Sequence, residues 1–390
     1  MSGPLQGVRV IDMTSVAMGP YATQIMGDMG ADVVKIESRD GDVFRHVAPA
    51  RHPLMGAPFL NFNRNKRSVV LDLKTPEAAA QLRELVGHAD VFVSNVRPES
   101  MRRLGLDDAT LRALNPRLIY CGAYGFSEQG RYAGRPAFDD IIQAMSGLAA
   151  IQANPATGQP AYMNTIIADK TAGLTIAYAV AMALYERERS GLGQAIEVPM
   201  FETLFAFGMM EHLAGRTFDP PEGPMGYDRL LSSQRRPYPT QDGYLALLPY
   251  TTAQWQRFFR LAGRPEVADD ARYMEPAQRS RNIHALYGML ADLVAQRSTA
   301  QWLALLADAD IPHAEVLSLD AVMDDPHLHD AGMVQTIAHP TEGTLTSVGI
   351  PTRFSRTPGS IRRPAPNLGA DLLDAVMGDW RARPDQATPR

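Results

Sequence analysis

The chain has 390 residues, and a domain size of roughly 150 residues favours two domains while leaving one or three open. Hydrophobic residues make up 45% and charged residues 21% of the chain, a balance that excludes a disordered or fibrous protein. The formal net charge is -5, from 38 basic and 43 acidic side chains, so there is no overall positive field to attract a nucleic acid or an anionic membrane.

Cysteine content and the terminal sequence indicate the compartment. Cys121 is the single cysteine, which excludes an internal disulfide, a zinc site built from cysteines and an iron–sulfur cluster. Residues 1–7 carry no basic stretch followed by an apolar segment. The most apolar later run, residues 174–185, is far shorter than the roughly 20 residues that a membrane span needs. We therefore predict a cytoplasmic protein.

The first 200 residues alternate short apolar runs with segments of helical periodicity. The apolar runs predict strands at residues 8–11, 32–36, 68–71, 91–95, 118–122 and 195–198. The periodic segments predict helices at residues 20–29, 76–86, 107–114, 140–146 and 170–187. This alternation is typical of a parallel sheet with crossover helices, so we predict a doubly wound α/β domain.

A second, smaller α+β domain is predicted further along the chain. Residues 217–242 are rich in Pro, Gly, Arg and Ser without clear periodicity, as in a linker or functional loop. A strand at 243–249 and amphipathic helices at 253–262, 280–297 and 300–309 follow. Beyond about residue 325 the chain is rich in Gly, Pro and Thr up to a last predicted helix at 370–376.

The common catalytic and nucleotide-binding motifs are absent. The sequence has no G-x-G-x-x-G after a strand, no Walker A loop, no G-x-S-x-G and no H-E-x-x-H. The close pair His327 and His329 lies in a Pro- and Asp-rich segment, which a solvated loop explains as well as a metal site does. We predict no metal site.

Asp169 precedes the helical segment 170–187, and two interpretations of it stay open. As an N-cap, its carboxylate would accept the free amides of the first turn, a role worth about 1 kcal/mol. As a nucleophile, the carboxylate would be poorly solvated among apolar neighbours and held ionised by the helix N-terminus.

Basic residues flank the third and fourth predicted strands. Two interpretations stay open: each is an ordinary solvated surface cation, or together, at the carboxyl ends of neighbouring strands, they neutralise the phosphates of a nucleotide-like ligand. These residues are Lys66 and Arg67 before the third strand, Lys74 after it, and Arg97, Arg102 and Arg103 after the fourth.

Several motifs fall in the order and spacing of one enzyme family. They include GVRVID at 7–12, GADVVKIE at 30–37, NRNKRS at 63–68, NPRLIY at 115–120 and GLGQ at 191–194. Over essentially its whole length, the chain resembles the family III CoA-transferases of the formyl-CoA transferase and carnitine CoA-transferase type. The resemblance implies transfer of CoA from an acyl-CoA to a small carboxylic acid, with coenzyme A entering as substrate and no permanently bound cofactor.

The resemblance also implies an architecture. Family members are homodimers of two interlocked, ring-shaped chains with a Rossmann-like large domain and a smaller α+β domain. The implied division assigns residues 1–215 to the N-terminal part of the large domain and 216–241 to a linker. It assigns 242–325 to the small domain and 326–390 to a return segment that completes the large domain.

The resemblance places the site residues as well. The catalytic aspartate at the start of the helix before GLGQ corresponds to Asp169, which implies that an aspartyl anhydride and then an aspartyl-CoA thioester form there. The implied CoA-binding residues are Val16, Ala17, Met18, Leu71, Lys74, Asn95, Val96, Arg103 and Met200.

The sequence differs from formyl-CoA transferase at two places. One difference leaves a contact with a CoA phosphate open, and the other limits the choice of acid substrate. Ser38, with Arg39 beside it, stands where formyl-CoA transferase has an arginine. The glycine-rich flap of that enzyme is missing, since residues 223–241 carry Tyr227, Arg229, Arg235 and Arg236 instead. Oxalate and formate are therefore poor substrate candidates.

The related racemases form the alternative within the same superfamily. They use a His-Asp pair to move the α-proton of a 2-methylacyl-CoA, and Phe138 and Asp139 occupy the corresponding positions. A phenyl ring cannot exchange a proton, so this difference favours a transferase. A non-catalytic CoA-binding protein is the third alternative, because fold does not fix function.

Overall fold

The computed structural model describes residues 3–154 and 156–382. The chain divides into two compact units. The larger unit comprises Met1–Gln152, Ala161–Gly208 and His327–Arg390, and the smaller unit comprises Ala153–Pro160 and Met209–Pro326.

The larger unit is built on a six-stranded parallel sheet with the order β3-β2-β1-β4-β5-β6. Chain order reverses between β1 and β4, which is the doubly wound arrangement and confirms the predicted α/β class. The strands are β1 Arg9–Met13, β2 Asp32–Glu37, β3 Lys66–Val70, β4 Val91–Ser94, β5 Ile119–Tyr124 and β6 Ala195–Pro199.

Helices cover both faces of this sheet. Neighbouring strand residues point to opposite faces, so Val10 packs towards one helical layer and Ile11 towards the other. Single 3-10 turns lie at Val43–His46 and Ala214–Thr217. The helices up to the smaller unit are α1 Met18–Asp28, α2 Ala57–Phe62, α3 Pro76–Val86, α4 Pro98–Leu104, α5 Asp108–Leu114, α6 Asp139–Met145, α7 Leu148–Ile151, α8 Ile167–Ser190 and α9 Met200–His212.

Helix α8 is central to the larger unit. Its 24 residues are long and apolar enough to cross a membrane, the one such helix among the residues described. Core helices of soluble proteins share this composition, and α8 buries Ala168, Ala172, Ile176 and Val180 in the hydrophobic core beside α1.

The smaller unit packs short helices around an antiparallel three-stranded sheet, β7-β8-β9. Its core contains Trp255, Phe258, Leu286 and Trp302, which lie within the segments predicted as amphipathic helices. Helix α11 begins with a capping box between Thr251 and Gln254. The elements are α10 Asp228–Leu231, β7 Tyr238–Pro239, β8 Tyr244–Leu247, α11 Thr252–Leu261, α12 Pro265–Ala268, α13 Ala271–Met274, α14 Pro276–Arg281, α15 Ile283–Val294, α16 Thr299–Leu306, β9 His313–Glu315 and α17 Leu319–Met323.

The last part of the chain packs against the β3 edge of the large sheet. Asp371 accepts hydrogen bonds from the Ser68 amide and the Arg67 guanidinium, and the buried Trp380 indole donates to Asp32. These contacts cover the edge strand, which would otherwise present unpaired backbone groups. The elements are α18 Pro326–Asp330, the hairpin of β10 Val334–His339 and β11 Gly343–Val348, and α19 Leu373–Ala382.

Candidate active site

A cavity of about 230 Å³ opens in the larger unit beyond the carboxyl ends of β1, β4 and β5. Open α/β sheets bind ligands at this edge. Five of the predicted site residues line the cavity, and they are Val16, Met18, Asn95, Asp169 and Met200.

The remaining predicted site residues lie outside the cavity lining. Ala17 is fully buried and precedes the first residue of α1, and Leu71 is 8% exposed in the hydrophobic core. Val96 is half-buried after β4. Lys74 and Arg103 are exposed, with Arg103 donating to the Ser100 hydroxyl. The cavity and these exposed cations are therefore separate features of the same sheet edge.

Asp169 is the third residue of α8, not its N-cap. The cap position belongs to Ile166, which has no capping side chain. Asp139 of α6 fills the role instead, because its Oδ1 accepts the amides of Ala168 at 2.7 Å and Asp169 at 3.1 Å. The capping interpretation of Asp169 is therefore wrong, and its carboxylate is free to face the cavity.

Gln143, one turn along α6, holds the capping carboxylate in place. Its Nε2 donates to Asp139 Oδ2 at 2.6 Å, and its Oε1 accepts the amide of Met163 at 2.8 Å. Gln143 and Asp139 are 1% and 6% exposed. Buried polar groups that are all partnered in this way rigidify their surroundings, so the start of α8 is fixed from the side.

The Asp169 carboxylate sits where its charged form is disfavoured. Burial and the nearby charge of Asp139 raise the pKa of Asp169 to about 7, against a smaller lowering by the backbone hydrogen bond from Met18. Asp169 forms no ion pair with any residue that the structure describes. A poorly solvated carboxylate without a cationic partner has the environment of a reactive group.

The close approach of α1 and α8 explains the contact between Met18 and Asp169. Gly173 lies one turn after Asp169, and a Cβ there would stand 2.8 Å from the Met18 carbonyl oxygen. Any side chain would push the two helices apart. Glycine at this position therefore brings the first turn of α1 next to the Asp169 carboxylate.

The loop between β1 and α1 is held in a strained conformation at the cavity. Val16 has a φ of 70°, in the left-handed region that β-branched residues rarely occupy. The Asn95 side chain bonds both the amide and the carbonyl of Ser15, and the Val16 amide donates to Asp42. Asp42 is in turn paired with the buried Lys35 at 2.9 Å. These hydrogen bonds and the ion pair hold the strained backbone at Val16 in place, which indicates that the shape of this loop matters for the cavity.

Two of the cations considered for phosphate binding are structural. Lys66 and Arg67 lie at the amino end of β3, away from the ligand edge of the sheet. Lys66 is 1% exposed, with its Nζ 2.9 Å from Asp12, and burial lowers the pKa of Lys66 to about 8 against the charge of that carboxylate. Arg67 pairs with Asp371 and Asp379. The prediction that they face a phosphate is therefore wrong.

The cavity also contains residues that sequence analysis missed. Arg97 belongs to the predicted set of cations, whereas Arg135, Tyr124 and Glu128, which also line the cavity, belong to no sequence prediction. The Arg135 guanidinium carbon lies 4.7 Å above the Tyr132 ring. This loop between β5 and α6 lacks periodicity, and a lone arginine between glycine and proline carries no signal of its own. Among the residues described, no group of three or more His, Cys, Asp or Glu side chains is arranged to hold a metal ion.

Comparison with known proteins decides the family. The profile of CoA-transferase family III matches residues 5–372. The chain belongs to CoA-transferase family III. It is therefore an enzyme of the CoA-transferase class, whose substrates are CoA thioesters, and the resemblance found in the sequence motifs is confirmed.

Individual relatives match over nearly their full length. The chain is 32% identical to the succinate–glutarate CoA-transferase of Agrobacterium fabrum, covering 99% of this chain and 98% of the relative. It is 31% identical to a probable fatty acyl-CoA transferase of Mycobacterium tuberculosis, covering 94% and 95%. A crystal structure of a CaiB/BaiF family protein from Brucella suis superposes with a TM-score of 0.82 at 29% identity, covering 97% of this chain and all of that one.

Proposed function

We propose that this family III enzyme moves CoA from an acyl-CoA to a small carboxylic acid through covalent intermediates on Asp169. The observation that carries the proposal is the position of this carboxylate, which lines the cavity beside the first turn of α1 with its pKa raised to about 7. Near neutral pH a large share of such a group is ionised, and its negative charge is poorly solvated. Both properties suit a carboxylate nucleophile.

The proposed reaction proceeds by exchange at carbonyl carbons. Asp169 attacks the acyl thioester, forming a C–O bond and releasing CoA thiolate. The thiolate attacks the aspartyl carbonyl of this anhydride, giving an aspartyl-CoA thioester and the donor acid as carboxylate. The acceptor carboxylate then displaces thiolate to form a second anhydride. Thiolate attack on the acceptor acyl group releases the new acyl-CoA and regenerates Asp169, with no net proton transfer.

The remaining predicted site residues have proposed roles in holding CoA. Lys74 and Arg103 are exposed cations after β3 and β4, suited to charge-assisted bonds with phosphates. Val96 is half-buried and is proposed to contact CoA, whereas the buried Ala17 and Leu71 would support the neighbouring backbone from the core. In the cavity, the Met18 amide is the donor proposed to stabilise the oxyanion that each attack creates.

The proposed assembly is a homodimer, with the interlocked arrangement and domain boundaries expected for the family. One face of α8 carries Leu174, Tyr178, Met182 and Tyr185, each at least 50% exposed. Their spacing of three to four residues makes a continuous apolar stripe, which isolated soluble chains rarely leave open. We also propose a cytoplasmic location, where the buried thiol of Cys121 would remain reduced.

The racemase alternative lacks support at the cavity. Phe138 lines the cavity with Asp169 at the position where a racemase needs a proton-exchanging histidine. A single carboxylate can remove a proton from one face of a carbon but cannot return it to the other.

Trapping of the covalent intermediate tests the proposal. Native enzyme incubated with a panel of acyl-CoAs and then hydroxylamine should carry a hydroxamate on Asp169, read by peptide mass spectrometry. The Asp169→Asn variant should carry none. A hydroxamate on another carboxylate, or full turnover by the Asn variant, would refute the assignment.

A further inference from the structure

The smaller unit contains a second cavity, about 440 Å³ in volume, with an unusual lining. Four aromatic side chains line it, and two arginines face it together with one carboxylate, Asp228. The residues on which the inference depends are Tyr227, Arg229, Tyr250, Trp255, Arg279 and Tyr287.

Neutral groups hold both guanidinium groups in place. Arg229 Nε donates to the Tyr287 hydroxyl at 3.1 Å, and the Arg229 guanidinium carbon lies 5.2 Å from the centre of the Tyr250 ring. Arg279 Nη1 donates to the Thr252 hydroxyl at 3.0 Å and the Met274 carbonyl at 3.2 Å. Both arginines are half-buried. Their positions are fixed without a counter-charge.

Other arginines of this unit behave differently. Arg260 pairs with Asp269 and Arg272 pairs with Asp270, although both arginines are more than half exposed and need a partner less. Within the described residues neither Arg229 nor Arg279 forms an ion pair, and Asp228 is exposed and bonded to neither. Partly desolvated cations left without an anion are costly, which indicates that the anion is a ligand.

We propose that this cavity binds the carboxylate of a small organic acid. A guanidinium offers two parallel N–H donors that match the two oxygens of a carboxylate, and aromatic walls suit the carbon chain attached to it. The binding site follows from the cavity alone. Identification of its ligand as the acid substrate of the enzyme rests on the proposed function.

Calorimetric titration of the whole enzyme without CoA tests the site. Glutarate should bind, and Arg229→Gln and Arg279→Gln should each weaken binding about tenfold or more, as expected for loss of a charge-assisted bond. Arg272→Gln, which removes an exposed and paired arginine of the same unit, should leave the affinity unchanged. No glutarate binding by the native enzyme, or equal affinity in all variants, would overturn the site. Preferential binding of inorganic phosphate would overturn the carboxylate assignment.

Steady-state kinetics test the carboxylate-binding site and the proposed function independently of each other. If both are right, Arg229→Gln raises the KM for the acid while the KM for acyl-CoA and kcat change little. Arginine-dependent glutarate binding in an enzyme that transfers no CoA would refute the function and keep the site. Transfer with an unchanged KM for the acid would refute the role of the site in catalysis.

A different observation carries a second inference, about Asp139. We infer that Asp139 is a positioning residue for Asp169, because its Oδ1 accepts the amide of Asp169 itself and that of Ala168. It does not line the cavity and would act only through Asp169, so this inference also rests on the proposed function. The raised pKa of Asp169, to which the Asp139 charge contributes, supports the link. Other charged groups around the cavity are Arg97, Glu128 and Arg135, and Lys170 bonds the Thr165 hydroxyl.

The pH dependence of kcat/KM for acyl-CoA tests this inference. Asp139→Asn keeps an acceptor oxygen but removes the charge, so the acidic limb of the profile should move to lower pH. Asp140→Asn, an exposed neighbour on the same helix, should not move it. Asp139→Ala should lower kcat with little change in the KM for acyl-CoA, since the first turn of α8 loses its cap. An unmoved profile in a folded Asp139→Asn enzyme would overturn the inference, as would trapping of the intermediate on a residue other than Asp169.

Discussion

Replacing Asp169 by Asn should stabilise the protein and abolish its activity. In the unfolded chain the pKa of Asp169 is about 3.8. In the folded state, burial and the charge of Asp139 raise this pKa to about 7. The folded state therefore holds a proton that the unfolded state has lost, so stability falls as pH rises through this interval. Asparagine has no proton to lose and avoids that penalty.

The size of the effect follows from the two pKa values. One pKa unit corresponds to about 1.4 kcal/mol, so the rise from 3.8 to about 7 gives a ceiling of about 4 kcal/mol at pH 8. Because the carboxylate is only partly buried and faces an open cavity, we expect about half of that value to be realised. Roughly two thirds of the gain should develop between pH 5 and pH 8, and only about an eighth of it should remain near pH 4.

Calorimetric melting of both proteins at pH 5 and pH 8, at one fixed protein concentration, measures the difference. Asp140→Asn serves as control, because it removes an exposed carboxylate from α6 and should show no such pH dependence. Transferase activity of the Asp169→Asn enzyme should fall by several orders of magnitude while CoA binding persists. An Asn variant no more stable than the native enzyme at pH 8 would refute the burial argument, and retained activity would refute the nucleophile.

Three further predictions concern the same site. The kcat/KM for acyl-CoA should rise with pH and level off above about 7, because only the ionised carboxylate attacks; a profile flat from pH 5 to pH 8 would contradict this. Lys74→Ala and Arg103→Ala should each weaken CoA binding by about tenfold and flatten its salt dependence. Arg112→Ala, which removes an arginine paired with Asp108, serves as the control. Calorimetric titrations that show an unchanged affinity for CoA in both variants would remove Lys74 and Arg103 from the site. Because Phe138 lines the cavity in place of a histidine, a 2-methylacyl-CoA kept with the enzyme in heavy water should gain no deuterium at its α-carbon, and mass-spectrometric detection of enzyme-dependent labelling would favour the racemase.

Strands β1 to β5 of the large sheet were predictable because they are buried on both faces. The four residues of β4, Val91–Ser94, are all buried, so the strand reads as an unbroken apolar run. Helix α3, Pro76–Val86, has the predicted bounds because its N-cap, Thr75, and the proline at its first position are local signals.

Two elements were not predicted correctly from the sequence, because one is largely exposed and the other is capped by a distant residue. The β10–β11 hairpin, Val334–His339 paired with Gly343–Val348, is largely exposed and so lacks the apolar alternation that marks a strand. Helix α8 starts at Ile167 instead of the predicted 170, because its capping carboxylate belongs to Asp139, on another helix. A cap supplied from a distant part of the chain leaves no trace in the local sequence.

Lys66 was assigned to the wrong role for the same reason: its partner comes from a distant part of the chain. A lysine next to an arginine reads as surface charge, and only the fold shows that Lys66 meets Asp12 inside the protein. Asp12 also lies near Lys35, which bonds the Thr14 carbonyl and pairs with Asp42, the carboxylate that accepts the Val16 amide. These buried charges connect the sheet to the loop that lines the cavity. Lys66 therefore supports the cavity wall through the backbone that these charges position, which residue type alone cannot reveal.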